Sequence, residues 1–142
     1  NGRLKITCPF LPDADCIVWT GEHLPARWKP QSYGWVVADD SGVVTACDVK
    51  RLVDGVPVER QETIVGTFLF REVGDARREI EGMALAGDRV NGELYLDTVV
   101  RRLVRAGRRV KRFKVGKWLP FGTPDELRTF EYWNAVFRPA SK

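Results

Sequence analysis

The stretch NGELYLDTVVRRLVRAGRRVKRFKVGKWLPFGTPDEL, residues 91–127, contains signals for a helix, a strand and a second helix in succession. Its first part predicts an amphipathic helix over 93–106, because apolar side chains recur there at helical spacing. These side chains are Leu96, Val99, Val100, Leu103 and Val104. Gly107 follows at a position where helices commonly end. Residues 108–115 then predict a strand.

The start of the second helix carries the strongest local signal. Thr123 is a good N-cap, Pro124 fits the first helical position, and Glu126 completes a capping box. The apolar residues that follow recur at helical spacing, so we expect this helix to dock on the core. They are Leu127, Phe130, Trp133 and Phe137.

The chain before residue 91 is dominated by strand-forming segments. Apolar or β-branched runs at 16–19, 33–38, 43–49 and 62–71 predict strands, and Asp39 to Gly42 predict a hairpin turn. A weaker helical pattern covers 73–86. Strands first and helices later predict an α/β fold with a mixed sheet and flanking helices. We assign 1–14 to an irregular lead-in, 15–137 to one domain and 138–142 to a tail.

Composition limits the class of protein. The chain has 142 residues, 44% of them hydrophobic, which is enough for one packed core. No apolar run approaches the roughly 20 residues of a membrane span, and no secretory signal opens the chain. We therefore expect a cytoplasmic protein without a membrane partner.

Several common kinds of site lack support. Cys8, Cys16 and Cys47 form no metal-binding or redox spacing, so we expect small buried apolar side chains. His23 is the single histidine. We interpret it as a surface residue, with a catalytic base as the less favoured alternative. Neither a glycine-rich phosphate loop nor a nucleophile elbow is found in the sequence.

Five short motifs occur in a familiar order. They are Tyr33-Gly34-Trp35-Val36, Val49-Lys50, Ile64-Val65-Gly66-Thr67-Phe68, Gly92-Glu93 with Asp97, and Gly122-Thr123-Pro124. Together they resemble the second half of a sugar-1-phosphate nucleotidyltransferase, as in glucose-1-phosphate thymidylyltransferases and mannose-1-phosphate guanylyltransferases. The resemblance implies a Rossmann-like sandwich. It also implies transfer of a nucleoside monophosphate from a nucleoside triphosphate to a sugar 1-phosphate, with release of pyrophosphate, in nucleotide-sugar and polysaccharide synthesis.

The triphosphate-binding first half of that family is not found in this sequence. We therefore expect a truncated fragment that lacks the N-terminal nucleotide-binding half and is inactive alone. Sugar 1-phosphate and nucleoside triphosphate are the expected partners of the intact enzyme, and a homo-oligomer is a further expectation.

The resemblance also assigns roles to residues of this chain. Lys50 would be the catalytic residue that contacts the sugar phosphate, and Glu93 would accept hydrogen bonds from sugar hydroxyls. Tyr33 and Gly34 would also bind substrate, and the backbone near Gly66 would lie against the sugar ring. Asp97 would support these groups from behind.

The chain departs from the family pattern beside Lys50, where the family has a glutamate before the lysine and a proline after it, and at a metal-binding position. Val49 and Arg51 replace the family residues on either side of the lysine, and Pro120 replaces an aspartate that binds magnesium. Mg²⁺ is expected for the family, and this chain offers no convincing ligand for it.

Two other functions stay open. One is a non-catalytic nucleotidyltransferase-like domain for ligand binding or assembly. The other, less favoured, is a nucleic-acid-binding module, because residues 101–117 contain nine Lys or Arg and no acid, with Phe113 and Trp118 as stacking groups. Alternatively, these basic residues form the solvated face of a helix.

Overall fold

A computed structural model describes residues 13–22 and 24–138. A five-stranded sheet has the order β3-β2-β4-β1-β5. Its strands are β1 (Cys16–Gly21), β2 (Gly34–Ala38), β3 (Val44–Val49), β4 (Glu62–Phe70) and β5 (Val110–Lys114). The β1–β5 pair is parallel and the other pairs are antiparallel, so the sheet is mixed. His23, Cys8 and most of the predicted lead-in lie outside the described residues.

Within the described residues, three α-helices accompany the sheet, which confirms the α/β class. They are α1 (Val73–Leu85), α2 (Leu96–Arg105) and α3 (Pro124–Phe137). Short 3-10 turns occupy Leu24–Trp28, Pro30–Ser32 and Val58–Arg60, between the strands.

The core lies between one face of the sheet and helices α1 and α2. Val99 and Val100 of α2 are completely buried, and Met83 of α1 joins the same cluster. The strands contribute seven side chains to this cluster. These are Cys16, Val18, Val36, Val44, Cys47, Ile64 and Val110. The predicted apolar stripe of α2 is confirmed at its centre, whereas Leu96 at its start is exposed.

The β2–β3 hairpin is held by its own turn chemistry. The carboxylate oxygen Oδ1 of Asp39 accepts hydrogen bonds from the backbone N–H groups of Ser41 and Val43, at 2.9 and 3.0 Å. Gly42 has φ +80°, which a glycine adopts without strain. Its carbonyl accepts a bond from Arg112 N at 2.9 Å, so the hairpin tip also contacts β5.

The basic stretch at 101–117 is partly neutralised by acids from elsewhere in the chain. Five of its nine basic side chains form ion pairs of 4 Å or less, among them Arg112 with Glu62 at 2.9 Å. The five are Arg101, Arg102, Arg108, Arg112 and Lys114. This pairing weakens the case for a nucleic-acid surface, which depends on unpaired positive charge.

Two sequence-based expectations are wrong. Glu93 does not begin α2; it ends a tight turn in which Asn91 and Gly92 have φ +51° and +81°. The turn is closed by two backbone bonds between Val90 and Glu93, at 2.9 and 3.0 Å. Positive φ at both central residues favours Asn-Gly, which explains why the helix starts only at Leu96.

The second error concerns α3. Its capping box forms as predicted, with Thr123 and Glu126 bonding each other's backbone N–H groups. However, α3 has no buried residue, and Trp133 and Phe137 are 50% and 74% exposed. Spacing predicted an apolar face correctly, but it did not reveal whether the sheet reaches that face.

Burial of two of the three cysteines is confirmed. Cys16 and Cys47 are buried free thiols. Burial raises the pKa of Cys16 to about 12, and burial likewise raises the pKa of Cys47 far above its ordinary value. Among the described residues, no helix is both long and apolar enough to cross a membrane.

Candidate functional site

Lys50 lies where β3 ends, beside the start of β2. It is a non-glycine residue with φ +59°, a conformation that costs energy for an ordinary side chain. Its backbone N–H donates to the Tyr33 carbonyl at 2.9 Å, and its Nζ donates to the Ser32 carbonyl at 2.8 Å. The ammonium group carries three N–H donors, and this half-buried lysine can therefore still bind an anion.

A tyrosine that sequence reasoning missed connects Lys50 to Glu93. The Nζ of Lys50 lies 4.7 Å from the centre of the Tyr95 ring, within cation–π range. The Tyr95 hydroxyl donates a hydrogen bond to the Glu93 carboxylate. This bond is also the main reason why the pKa of Tyr95 is raised. The pattern offered no signal for Tyr95 beyond its place between Glu93 and Asp97.

Asp97 lies in the first turn of α2, directly against Gly34. A Cβ added to Gly34 would lie only 2.7 Å from Asp97 Cγ and 3.0 Å from Ile64 Cδ1. Gly34 is therefore required for steric reasons, because any side chain would displace the carboxylate. The backbone carbonyl of Asp97 also accepts a bond from Cys47 Sγ at 3.7 Å, which ties the helix start to β3.

The environment of Asp97 disfavours its charge. Burial raises its pKa to about 6, although the nearby Lys50 ammonium partly offsets this by attracting the carboxylate. Desolvation therefore outweighs the attraction of the lysine. Asp97 and Lys50 therefore interact electrostatically at one end of the sheet.

Tyr33 joins the start of α3 to this region. Its hydroxyl donates to Glu126 Oε1 at 3.0 Å, and its ring packs edge-on against Trp118 with centroids 5.8 Å apart. Burial and the Glu126 bond raise the pKa of Tyr33 to about 12, so its hydroxyl stays protonated. Through this contact the Gly122-Thr123-Pro124 segment lies beside the motif at 33–36.

Gly66 occupies a bulge in β4. The β1–β4 register pairs Val18 with Phe68 and Thr20 with Ile64, so three residues of β4 face one residue of β1. Gly66 has φ +97°, and a Cβ added there would meet no atom within 4 Å. The conformation requires glycine, and the space beside it is open. Ile64, two residues earlier, contacts the Gly34 position, so the bulge lies at the same end of the sheet.

The structure thus places five predicted residues at one end of the sheet. Lys50 and Glu93 meet through Tyr95, Asp97 packs on Gly34, and Tyr33 bonds to the backbone of Lys50. The roles assigned to these residues and to Gly66 stay predictions. Within 13–22 and 24–138, His, Cys, Asp and Glu side chains do not gather in threes or more where they could hold a metal.

Comparison with known proteins gives a likeness in structure and none in sequence. No protein-family model matches the chain, and no characterised protein matches its sequence. The nucleoside-diphosphate-sugar pyrophosphorylase of Vibrio cholerae RC9 superposes with a TM-score of 0.62 at 15% identity, covering 82% of this chain and 46% of that one.

A second solved structure is CMP:2-keto-3-deoxy-manno-octonic acid synthetase complexed with CTP. It gives a TM-score of 0.53 at 18% identity, covering 88% of this chain and 51% of that one. This chain therefore matches about half the length of each. At such low identity these likenesses show architecture alone, and the five-stranded sheet and its helices have a nucleotidyltransferase-like fold.

Proposed function

We propose that this chain is the sugar-phosphate-binding part of a nucleotidyltransferase that joins a nucleoside monophosphate to a sugar 1-phosphate. The observation that supports this most directly is the cluster of Lys50, Tyr95, Glu93 and Asp97 around Gly34. It combines a phosphate-binding cation with a carboxylate that accepts hydroxyl hydrogen bonds, at one end of a nucleotidyltransferase-like sheet.

In the proposed reaction, a phosphate oxygen of the sugar 1-phosphate attacks the α-phosphorus of the nucleoside triphosphate. The new P–O bond forms as the bond to the departing pyrophosphate breaks. Lys50 would hold the attacking phosphate, its positive charge lowering the repulsion between the two phosphates. No step is assigned to Mg²⁺. Mg²⁺ is expected from the resemblance, which identifies no convincing ligand for it among the residues of this chain.

Glu93 and the bulge at Gly66 would hold the sugar. Glu93 has a second carboxylate oxygen besides the one that Tyr95 engages, and it is exposed. The open space at Gly66 lets a sugar ring lie against the backbone. Such binding positions the attacking oxygen, and positioning is the main contribution of proteins to phosphoryl-type transfer.

The test is pyrophosphate release with Mg²⁺, a panel of sugar 1-phosphates and the common nucleoside triphosphates. It compares this chain with the longest reading frame that contains it. We expect turnover by the long form and none by this chain alone. Lys50→Ala in the long form should lower kcat/KM on the order of 10²-fold, as when one charge-stabilising donor is removed.

Lys111→Ala is the matched control, because Lys111 is a half-buried lysine of β5, at the other end of the strand order from β3. It should leave the rate unchanged. Equal losses in the two variants would refute the role of Lys50. Binding of a sugar 1-phosphate by the long form without any turnover would favour the non-catalytic alternative, which Pro120 and the buried Val49 also favour.

Pathway, location and oligomeric state are further parts of the proposal. Polysaccharide synthesis follows from the sequence resemblance alone, and the cytoplasmic location stays an expectation drawn from the sequence. A homo-oligomer is compatible with the exposed apolar side chains of α3, and sedimentation at increasing concentration would test it.

A further inference from the structure

Tyr95 occupies a position where its residue type is locally unfavourable. It is the N-cap of α2, with φ −114° and ψ 141°, and its side chain makes no capping hydrogen bond. Ser, Thr, Asp and Asn are preferred there because their short side chains bond the first free N–H groups. A residue that breaks a local rule often serves a site, and here its side chain is engaged elsewhere.

The two ends of the Tyr95 side chain contact the two proposed ligand-binding groups. The ring face lies under Lys50 Nζ at 4.7 Å, and the hydroxyl bonds to the Glu93 carboxylate. Of the aromatic residues, only tyrosine combines a ring face with a terminal hydroxyl. Phenylalanine would keep the contact with Lys50 alone.

We propose that Tyr95 is a positioning residue that fixes the separation between Lys50, which takes the phosphate, and Glu93, which takes the sugar hydroxyls. This inference rests on the proposed function. It adds that the rigid side chain of Tyr95 holds the groups that bind the two ends of the sugar 1-phosphate at a fixed separation. A ligand with only the phosphate end, such as inorganic phosphate, needs Lys50 but not this coupling.

Substitutions at Tyr95 separate the two contacts. Tyr95→Phe should leave the Kd for inorganic phosphate unchanged and raise the Kd for glucose 1-phosphate or mannose 1-phosphate about tenfold, because Glu93 loses a charge-assisted hydrogen bond. Tyr95→Leu should also raise the Kd for inorganic phosphate, by roughly threefold, through loss of the cation–π contact. In the long form, Tyr95→Phe should raise KM for the sugar phosphate and leave kcat within about twofold.

The variant Tyr95→Asn tests whether Tyr95 serves only to stabilise the start of α2. Tyr95→Asn supplies the preferred cap, so its melting temperature should be equal to or above that of the wild type, while sugar-phosphate affinity falls as in Tyr95→Leu. Tyr132→Leu removes an exposed tyrosine of α3 and is the matched control, which should change neither Kd.

The experiment is an NMR titration of this chain with inorganic phosphate and with each sugar phosphate, following the Lys50 side-chain protons. Their upfield ring-current shift should vanish in Tyr95→Leu and persist in Tyr95→Phe. If the wild type binds the sugar phosphate more tightly than inorganic phosphate and the Tyr95 variants keep this same preference, the inference is overturned and the proposed function stands. If the wild type shows no such preference, the proposed function itself fails.

Discussion

Replacing Asp97 by asparagine should make the protein more stable at neutral pH. The side chain keeps its shape against Gly34 but loses a charge that its surroundings disfavour. Its pKa rises from 3.8 to about 6 on folding. At 1.36 kcal/mol per pKa unit, this amounts to at most about 3 kcal/mol of free energy of unfolding. The attraction of Lys50 is already contained in that value.

The direction of the Asp97 pKa shift determines the pH range over which the stability changes. Because the folded state holds the Asp97 proton more tightly, the wild-type protein loses stability as the pH rises from about 4 to 6 and regains none above it. Asparagine cannot titrate. The two proteins should therefore be about equally stable near pH 4, and the difference should grow to its plateau above pH 6.

Urea unfolding at five pH values between about 4 and 8, under reducing conditions, measures this difference. Asp54→Asn is the control, since the Asp54 side chain is 86% exposed and its substitution should give no such window. A stability difference that does not change with pH, or an Asp97→Asn protein less stable than wild type at pH 8, would refute the assignment. In the long form, the same variant should lose activity, because Lys50 loses the charge that faces it.

Two further predictions concern packing. Gly34→Ala should cost on the order of 1–3 kcal/mol by displacing the Asp97 carboxylate. The double variant with Asp97→Ala should cost less than the sum of the two single changes, as a double-mutant cycle in urea would measure. Trp35→Ala should cost about 3–5 kcal/mol, because Trp35 is 1% exposed, whereas Trp133→Ala should cost less than about 1 kcal/mol despite the same chemistry. Equal losses in the two tryptophan variants would mean that α3 is packed after all.

Much of the fold could be predicted because the signals are local. Alternating β-formers placed β4, the Thr123–Glu126 box placed the start of α3, and helical spacing placed the buried centre of α2. The start of α2 was predicted too early in the chain. The Asn91–Gly92 turn removed Glu93 from the helix, although this dipeptide is itself a known turn signal.

Some residues of the candidate site could likewise be predicted from local motifs, whereas the contacts between them could not. Lys50, Gly34 and Glu93 were assigned from motifs, and the structure brings them to one end of the sheet. Their relation through Tyr95 could not be predicted, because a ring beneath an ammonium group 45 residues earlier leaves no pattern in either segment. The pairing of Tyr33 with Glu126 spans 93 residues and is equally invisible in the sequence.

The sequence by itself determined the mixed α/β class and the order of the strands and helices along the chain. These depend on backbone propensity, side-chain period and capping, which act between near neighbours. Tertiary structure alone decided that five of the nine basic side chains at 101–117 pair with distant acids, that Asp97 packs against Gly34, and that the apolar face of α3 is left exposed. Charge pairing, desolvation and burial depend on which surfaces meet, and that is settled only when the chain is folded.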